Sequence, residues 1–290
     1  MSDNTQIVYL NGDFLPMSEA RVPVLDRGFI FGDGVYEVIP VYGSRILRLE
    51  EHLSRLDYSL NGIRLVNPMS HTQWKSVFEQ LIEKNGNGDL SIYLQITRGV
   101  APRDHGFPEN LTPTVFAMCS PLKPLPAHFT SNGATAITTE DIRWQFCNIK
   151  STSLLANTML RQFALDKKAD EAILVKDGNI TEGSASSVFI VAGNEIITPP
   201  KGNCILPGIT RDLVIELAHV NEIKCTERNI TLDEIKSCDE VWVTSSLREI
   251  LPVTVLDEKP VGSGVPGPIW EKMYGLYQDY KQKIRSGEIQ

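Results

Sequence analysis

The chain has 290 residues, 42% hydrophobic and 22% charged, with a net charge of −8 at pH 7. A chain of this length and mix buries a large core without covalent staples, which excludes a disulfide mini-scaffold and a largely disordered polymer. The acidic balance lacks the basic stripe of a phosphate-neutralising nucleic-acid binder, and no apolar run reaches the roughly 18 residues a membrane-spanning helix needs.

Residues 7–15, IVYLNGDFL, read as a hairpin of two apolar-rich strands around Asn11-Gly12. Val35–Tyr42 alternates as a strand, and Pro40 predicts that it lies at a sheet edge or ends early. Leu49, Leu53, Leu56 and Leu60 recur at helical spacing over 48–60, and Trp74, Val77, Phe78 and Leu81 repeat the pattern over 72–84. Strands follow at Ser91–Thr97 and Thr114–Cys119, and then the proline-rich run SPLKPLPAHF. Proline disfavours both helix and central strand, so 121–129 is the expected linker between a domain at 1–120 and another at 130–290. Beyond it, Glu171–Val175, Asn179–Ile180, Ser187–Val191 and Glu195–Thr198 read as short strands, Thr210–Asn221 as a helix, Val241–Ser245 as a strand and Ile269–Ile284 as a helix. Mixed short strands and scattered helices predict an α+β fold in both halves.

Familiar chemical motifs fail. Gly28, Gly32 and Gly34 do not spell a dinucleotide fingerprint, GSASS at 183–187 is not a nucleophile elbow, and the five histidines never fall at metal-ligand spacing, so no metal is expected. The five cysteines form no Cys-x-x-Cys pair, and reduced thiols in a cytoplasm are the simple reading. MSDNTQIVYLNGDF has neither the basic region nor the apolar core of a secretory leader.

Four segments carry possible chemistry. Lys150 follows a mostly apolar stretch and precedes Ser-Thr-Ser, a helix-cap pattern; desolvated, such a lysine favours Schiff-base chemistry, and otherwise it is a snorkelling surface residue. Glu182 precedes a glycine-serine turn that feeds a strand, and an ordinary hairpin reads the same way. Gly208 lets backbone approach a ligand closely. With Thr210 as its N-cap, the following helix would aim N–H groups at an anion such as phosphate, unless it is simply a loop-to-helix junction. Arg103 and His105 flank Asp104 on a glycine- and proline-bearing loop, a pairing that suits a carboxylate or a merely solvated loop.

In order along the chain, DRGFIFGDGVYEV, LEEHLSRL, TRGVAPRDH, IKSTSLLANTM, TEGSASSVF, ILPGITRD and VTSSLREILPV resemble the class IV (fold type IV) aminotransferases, over roughly residues 5–285. Within that class, VYEV with the later Arg-x-His is similar to the D-amino-acid transaminases. The resemblance implies a two-domain α+β fold with pyridoxal 5'-phosphate held between the domains. It implies that Lys150 forms the Schiff base and acts as the catalytic base, that Glu182 pairs with the pyridinium nitrogen, and that Arg55 binds the phosphate. Gly208, Ile209, Thr210, Ser245 and Ser246 are implied phosphate-side contacts, and Leu206 a residue packed on the ring. Tyr36, Val38, Arg103 and His105 are implied to hold the substrate, with the last two reaching in from a neighbouring subunit of a homodimer. Implied partners are amino acids and 2-oxo acids. Branched-chain L-amino-acid transaminases, R-selective amine transaminases and aminodeoxychorismate lyase share the class; the first usually read FEG where this chain has Val35-Tyr36-Glu37. Ala185 and Ser246 depart from a serine and a threonine common in D-amino-acid transaminases.

Overall fold

Apolar residues two apart on the first strands, and three to four apart on the helices after them, dictate the first layer. In the computed structural model, which describes residues 6–289, β1 (Ile7–Leu10) and β2 (Asp13–Pro16) form an antiparallel hairpin. Its turn residues Asn11 and Gly12 both take positive φ, as a two-residue turn matched to strand twist requires. Next come α1 (Arg27–Phe31), β3 (Gly34–Tyr42), β4 (Arg45–Ile46), α2 (Leu49–Gly62), α3 (His71–Lys84), β5 (Leu90–Thr97) and β6 (Thr114–Pro121). Among the described residues these strands make one antiparallel sheet in the order β2-β1-β6-β5-β3-β4. Val35, Ile39 and Val41 point from β3 into a core closed by Leu53, Leu56 and Leu60 of α2 and Trp74, Phe78 and Leu81 of α3. The opposite face of the sheet carries the half-buried Tyr36, Val38, Tyr93, Gln95 and Phe116.

Pro40 does not end β3, which continues to Tyr42 and pairs with β5 from Gly34 to Val41. The Pro40 carbonyl accepts from Leu47 N at 2.9 Å. A residue's N and O point to the same side of its strand, so the missing N–H falls on the outer side, where β4 pairs only Val41 and Tyr42. The edge expectation therefore holds locally and the early end does not.

The rest of the chain forms α4 (Ala127–Asn132), β7 (Ala134–Glu140), α5 (Leu155–Asp166), β8 (Glu171–Lys176), β9 (Asn179–Gly183), β10 (Ser187–Ala192), β11 (Glu195–Thr198), α6 (Ile209–Val220), β12 (Cys225–Glu227), α7 (Leu232–Ile235), β13 (Glu240–Ser245), β14 (Glu249–Leu256), β15 (Lys259–Pro260) and α8 (Pro268–Ser286). Its mixed sheet runs β12-β11-β10-β13-β14-β7-β8-β9, with β15 on β14. Val188, Ile190, Val241 and Val243 face one core, while Phe189 and Trp242 face another made with Leu213 and Val214 of α6 and Trp270, Met273 and Tyr277 of α8. A sheet buried on both faces reads as continuous apolar runs rather than alternation, and short runs of that kind carry little periodicity. That accounts for β7 and β14 being absent from the expected elements.

The contacts divide the chain into two compact units. One holds the chain through Leu122, Ile149–Leu154 and the segment from Lys283, and the other holds Lys123–Asn148 and Leu155–Gln282. The segment around Lys150 thus packs with the first unit, although its sequence position lies within the second expected domain. The cause is backbone pairing: Tyr36 N donates to Lys150 O at 3.0 Å, Thr152 N donates to Gly34 O at 2.9 Å, and Val35 bridges Ser151. These bonds cover the part of the β3 edge that β4 leaves open. Gly34 leaves room on both sides, since a Cβ there would stand 2.7 Å from Ile96 O of β5 and 3.3 Å from Thr152 Oγ1. The Ser-Thr-Ser run is not a helix cap. Thr152 Oγ1 and Ser153 Oγ donate to Gly32 O at 2.9 and 3.1 Å, and α5 opens only at Leu155.

Leu56 is fully buried on α2, so Leu56→Ala leaves a cavity and should lower unfolding free energy by about 2–5 kcal/mol. Val66, 83% exposed, is the matched control and should shift it by less than about 0.5 kcal/mol on replacement by Ala; urea midpoints of the two variants check the contrast.

Candidate active site

A charged residue at an inward position of an apolar strand face must find compensation or pay the full cost of desolvation. Glu37 shares the inward face of β3 with Val35 and Ile39 and is fully buried. Two residues one turn apart on α2 answer it. Arg55 donates to it through Nε and Nη2 at 2.8 and 2.7 Å, and His52 Nδ1 lies 2.8 Å from Oε2. Burial works against the Glu37 carboxylate, but Arg55 and His52 outweigh it and draw its pKa down to about 2. Burial also lowers the His52 pKa, with Arg55 and Lys150 adding to the effect against Glu37, and His52 Nε2 is buried with no hydrogen-bond partner among the described residues.

Lys150 sits beside this group in the same unit. Its N–H donates to Ser59 Oγ of α2 at 3.1 Å, and its Nζ lies 4.1 Å from the centroid of the Tyr36 ring. The side chain is half-buried, between the desolvated and the surface readings of the sequence. Tyr36 and Val38 share the outer face of β3 two residues apart. Arg103 and His105 are exposed on the loop after β5, and both rest on Phe31: the Arg103 guanidinium is 5.6 Å from that ring's centroid and the His105 ring 5.4 Å.

The second unit builds another buried charge cluster. Asp141 accepts from Arg143 Nε and Nη2 at 2.9 and 2.7 Å and from Thr181 Oγ1 at 2.8 Å. Arg143 Nη1 donates to Glu182 on β9, and Leu206 N donates to the other Glu182 oxygen at 3.1 Å. One guanidinium therefore serves two carboxylates. Asp141, held bidentate, has its pKa lowered against burial by Arg143. For Glu182 burial prevails over Arg143 and the Leu206 amide, and its pKa rises to about 7. The turn after Glu182 is pinned on Glu171, to which Ser184 and Ser186 donate, while Ala185 is exposed at its tip.

The helix α6 opens at Ile209 rather than at a Thr210 cap. Gly208 is the N-cap, no side chain caps the helix, and Ile209 and Thr210 are buried within its first turn. Gly208 stands close to β10: a Cβ there would meet Ser187 Oγ at 2.8 Å. Leu206 and Pro207 lead into this turn half-buried, and Ser245 and Ser246 sit half-buried where β13 turns toward β14, with Ser245 Oγ accepting from Arg248 N at 3.3 Å.

The structure thus joins Lys150 to Tyr36 in one unit and Glu182 to the Leu206 backbone in the other, whereas Arg103 and His105 make their ring contacts to Phe31. Sequence reasoning passed over Glu37, His52, Asp141 and Arg143. The signals were present: a glutamate at an inward position of an alternating strand, a His-x-x-Arg pair on one helix face, and Asp-x-Arg in an otherwise apolar run.

The family model for amino-transferase class IV matches residues 34–256. The chain belongs to the class IV aminotransferases. It is 42% identical to the D-alanine aminotransferase of Bacillus licheniformis, over 94% of this chain and 96% of that protein. It is 38% identical to the D-alanine aminotransferase of Staphylococcus aureus strain COL, over 94% and 97%. Among solved structures, the branched-chain amino acid aminotransferase of Escherichia coli superposes with a TM-score of 0.91 at 25% identity, covering 95% of this chain and 94% of that one. The branched-chain aminotransferase of Thermoproteus uzoniensis, solved with norvaline, gives 0.87 at 27%, covering 97% and 95%. The α+β architecture of this class IV chain agrees with its sequence reading.

The raised Glu182 pKa sets the sign of a pH effect. An unfolded glutamate titrates near about 4.3, so between that value and about 7 the folded state holds a proton that the unfolded chain has lost. Glu182 therefore favours the fold at low pH, and this contribution is lost as pH rises through about 7. Cofactor-free protein should lose stability relative to Glu182→Gln between about pH 5 and pH 8, read from urea midpoints; a relative gain across that window would reverse the sign.

Proposed function

We propose that this class IV aminotransferase moves the amino group of D-amino acids, of the D-alanine and D-glutamate type, to a 2-oxo acid such as 2-oxoglutarate, using pyridoxal 5'-phosphate. The near-full-length likeness to D-alanine aminotransferases, at 36–42% identity, carries this reading. The branched-chain L-amino-acid alternative has the likeness to solved structures at 25–27% identity in its favour.

The residues present fit the cofactor. The uncapped α6 turn with Gly208, Ile209 and Thr210 offers amides to a phosphate, and the Arg55 guanidinium suits an anion. The Asp141–Arg143–Glu182 cluster carries one more negative than positive charge when Glu182 is ionised, and a protonated ring nitrogen would balance it. When bound, the cofactor's ring withdraws the electron pair left on the substrate α-carbon after proton removal.

The protein's residues do the rest. Lys150 would hold the cofactor through its amine, and Lys150 Nζ removes the α-proton of the amino acid. Glu182 would accept from the ring nitrogen, Leu206 would pack on the ring, and Ser245 and Ser246 would add donors on the phosphate side. Tyr36, Arg103 and His105 take the substrate α-carboxylate, with Val38 beside its side chain. Because the α-proton must face Lys150, the position of the carboxylate contacts selects the enantiomer. We infer a homodimer in which Arg103 and His105 serve the neighbouring subunit. Their exposure supports this, as do the exposed Val22, Val24, Leu25, Phe29 and Phe107 of the same unit. We also infer a cytoplasmic location, which the five free thiols favour.

Lys150→Ala should cut transamination by at least about a thousandfold and abolish the visible absorbance of bound cofactor; retention of both overturns the assignment. A panel of D- and L-amino acids and R-1-phenylethylamine against 2-oxoglutarate should rank D-alanine and D-glutamate first, and L-leucine in that place would transfer the chain to the branched-chain reading. Replacing Arg103 and His105 together by Ala should raise KM for D-alanine about tenfold or more, since hydrogen bonds to a charged group contribute about 1.5–3 kcal/mol. An unchanged KM removes both residues from the substrate site.

A further inference from the structure

The loop from Arg98 to Pro113 has no regular secondary structure, yet the proposed function asks two of its side chains to hold a carboxylate in register. Its two ends and its middle are tied to α1. The buried Asp26, N-cap of that helix, accepts from Gly28 N at 2.8 Å, from Thr97 Oγ1 at 3.0 Å and from Thr114 Oγ1 at 2.6 Å. Thr97 closes β5 and Thr114 opens β6, so Asp26 clamps the neck of the loop. Gly99, at φ +90°, allows the neck to close, since a Cβ there would stand 2.1 Å from Thr112 O.

The next residue clamps the middle. Arg27 is 3% exposed. Its Nη1 donates to Asp104 O at 2.6 Å and to Gly106 O at 3.2 Å, carbonyls that bracket His105. Its Nε donates to Asp33 Oδ2 at 2.8 Å, and Arg98 Nε donates to the same oxygen at 2.8 Å. Burial raises the Asp33 pKa, but Arg98 and Arg27 outweigh it and hold the carboxyl below its ordinary value. One turn on, Phe31 presents its ring to three groups: Arg27 at 4.9 Å, Arg103 at 5.6 Å and the His105 ring at 5.4 Å. Arg27 thus fixes the loop backbone on either side of His105, and Phe31 supports the two side chains that project from it.

We propose that Arg27 and Phe31 are positioning residues of the transaminase, setting the place of Arg103 and His105 and through them the affinity for the α-carboxylate. This rests on the reading of Arg103 and His105 as carboxylate ligands. A lysine at 27 keeps the charge but delivers it as a single ammonium that cannot fork between Asp33 and two carbonyls. Leucine at 31 keeps the burial and removes the flat aromatic face.

The holoenzyme tests it. Arg27→Lys and Phe31→Leu should each raise KM for D-alanine, Arg27→Lys about fivefold to tenfold, with kcat within about twofold and cofactor affinity and absorbance unchanged. The KM of a donor without a carboxylate, R-1-phenylethylamine, should not move, a split that general loosening of the fold would not give. Where one variant fails to fold, the other carries the measurement. In the Arg103→Ala/His105→Ala background neither change should raise KM further. A variant that leaves the D-alanine KM unchanged, or that raises it equally in that background, overturns the role of Arg27 and Phe31 and leaves the carboxylate reading intact. If the double alanine variant itself keeps its KM, the carboxylate reading falls and the positioning role falls with it.

Discussion

A guanidinium taken out of water must have its charge and its directional donors answered together, and three clusters described above meet that demand. Arg55 answers Glu37, Arg143 is divided between Asp141 and Glu182, and Arg27 and Arg98 converge on Asp33. Removing one member of such a set leaves an uncompensated buried charge, which costs far more than the intact set contributes to stability. These clusters therefore serve placement more than stability: each planar fork admits few geometries, so the elements carrying its partners are fixed relative to one another within their unit. Of the residues proposed to act on cofactor or substrate, Arg55 and Glu182 sit in these clusters, and Leu206 and the loop around His105 are bonded to them.

The three clusters differ in balance, and the difference tracks their proposed tasks. Glu37 meets a full guanidinium and a histidine and stays ionised to about pH 2. Glu182 has only a share of Arg143 and rises to about 7. A carboxyl held near its titration point by burial responds strongly to any further positive charge brought beside it, which suits a residue whose partner is a ring nitrogen. Asp33 accepts from two guanidinium groups that share no other carboxylate, and its pKa is held below the ordinary value.

The first unit was largely legible in the sequence, because its sheet exposes one face and its helices are amphipathic. The leucines of α2, the spacing from Trp74 to Leu81 on α3, and Asn11-Gly12 gave their elements within a residue or two. The second unit was less so, since strands such as β7 and β14 are buried on both sides and lose alternation. Among proposed site residues, Lys150 and Glu182 stood out only because ordered motifs along the chain resembled a family; alone, a lysine after an apolar run and a glutamate before a turn are ambiguous. Thr210 and the Ser-Thr-Ser run were assigned caps that the chain uses differently: Gly208 is the N-cap of α6, and Thr152 and Ser153 turn their hydroxyls to Gly32 O. Arg143 and Arg27 were missed because the partners that tie them to the proposed site, Glu182 and the Asp104 and Gly106 carbonyls, are distant in sequence.

The amine of Lys150 is carried on a main chain bonded on both sides, by Ser59 through its own N–H and by Tyr36 through its carbonyl. The Cα is thereby a fixed pivot, and the four side-chain torsions beyond it are the only freedom the amine has. The attachment proposed for Lys150, which would be made, released and made again in every catalytic cycle, would then ask only for the swing of a short arm over the Tyr36 ring.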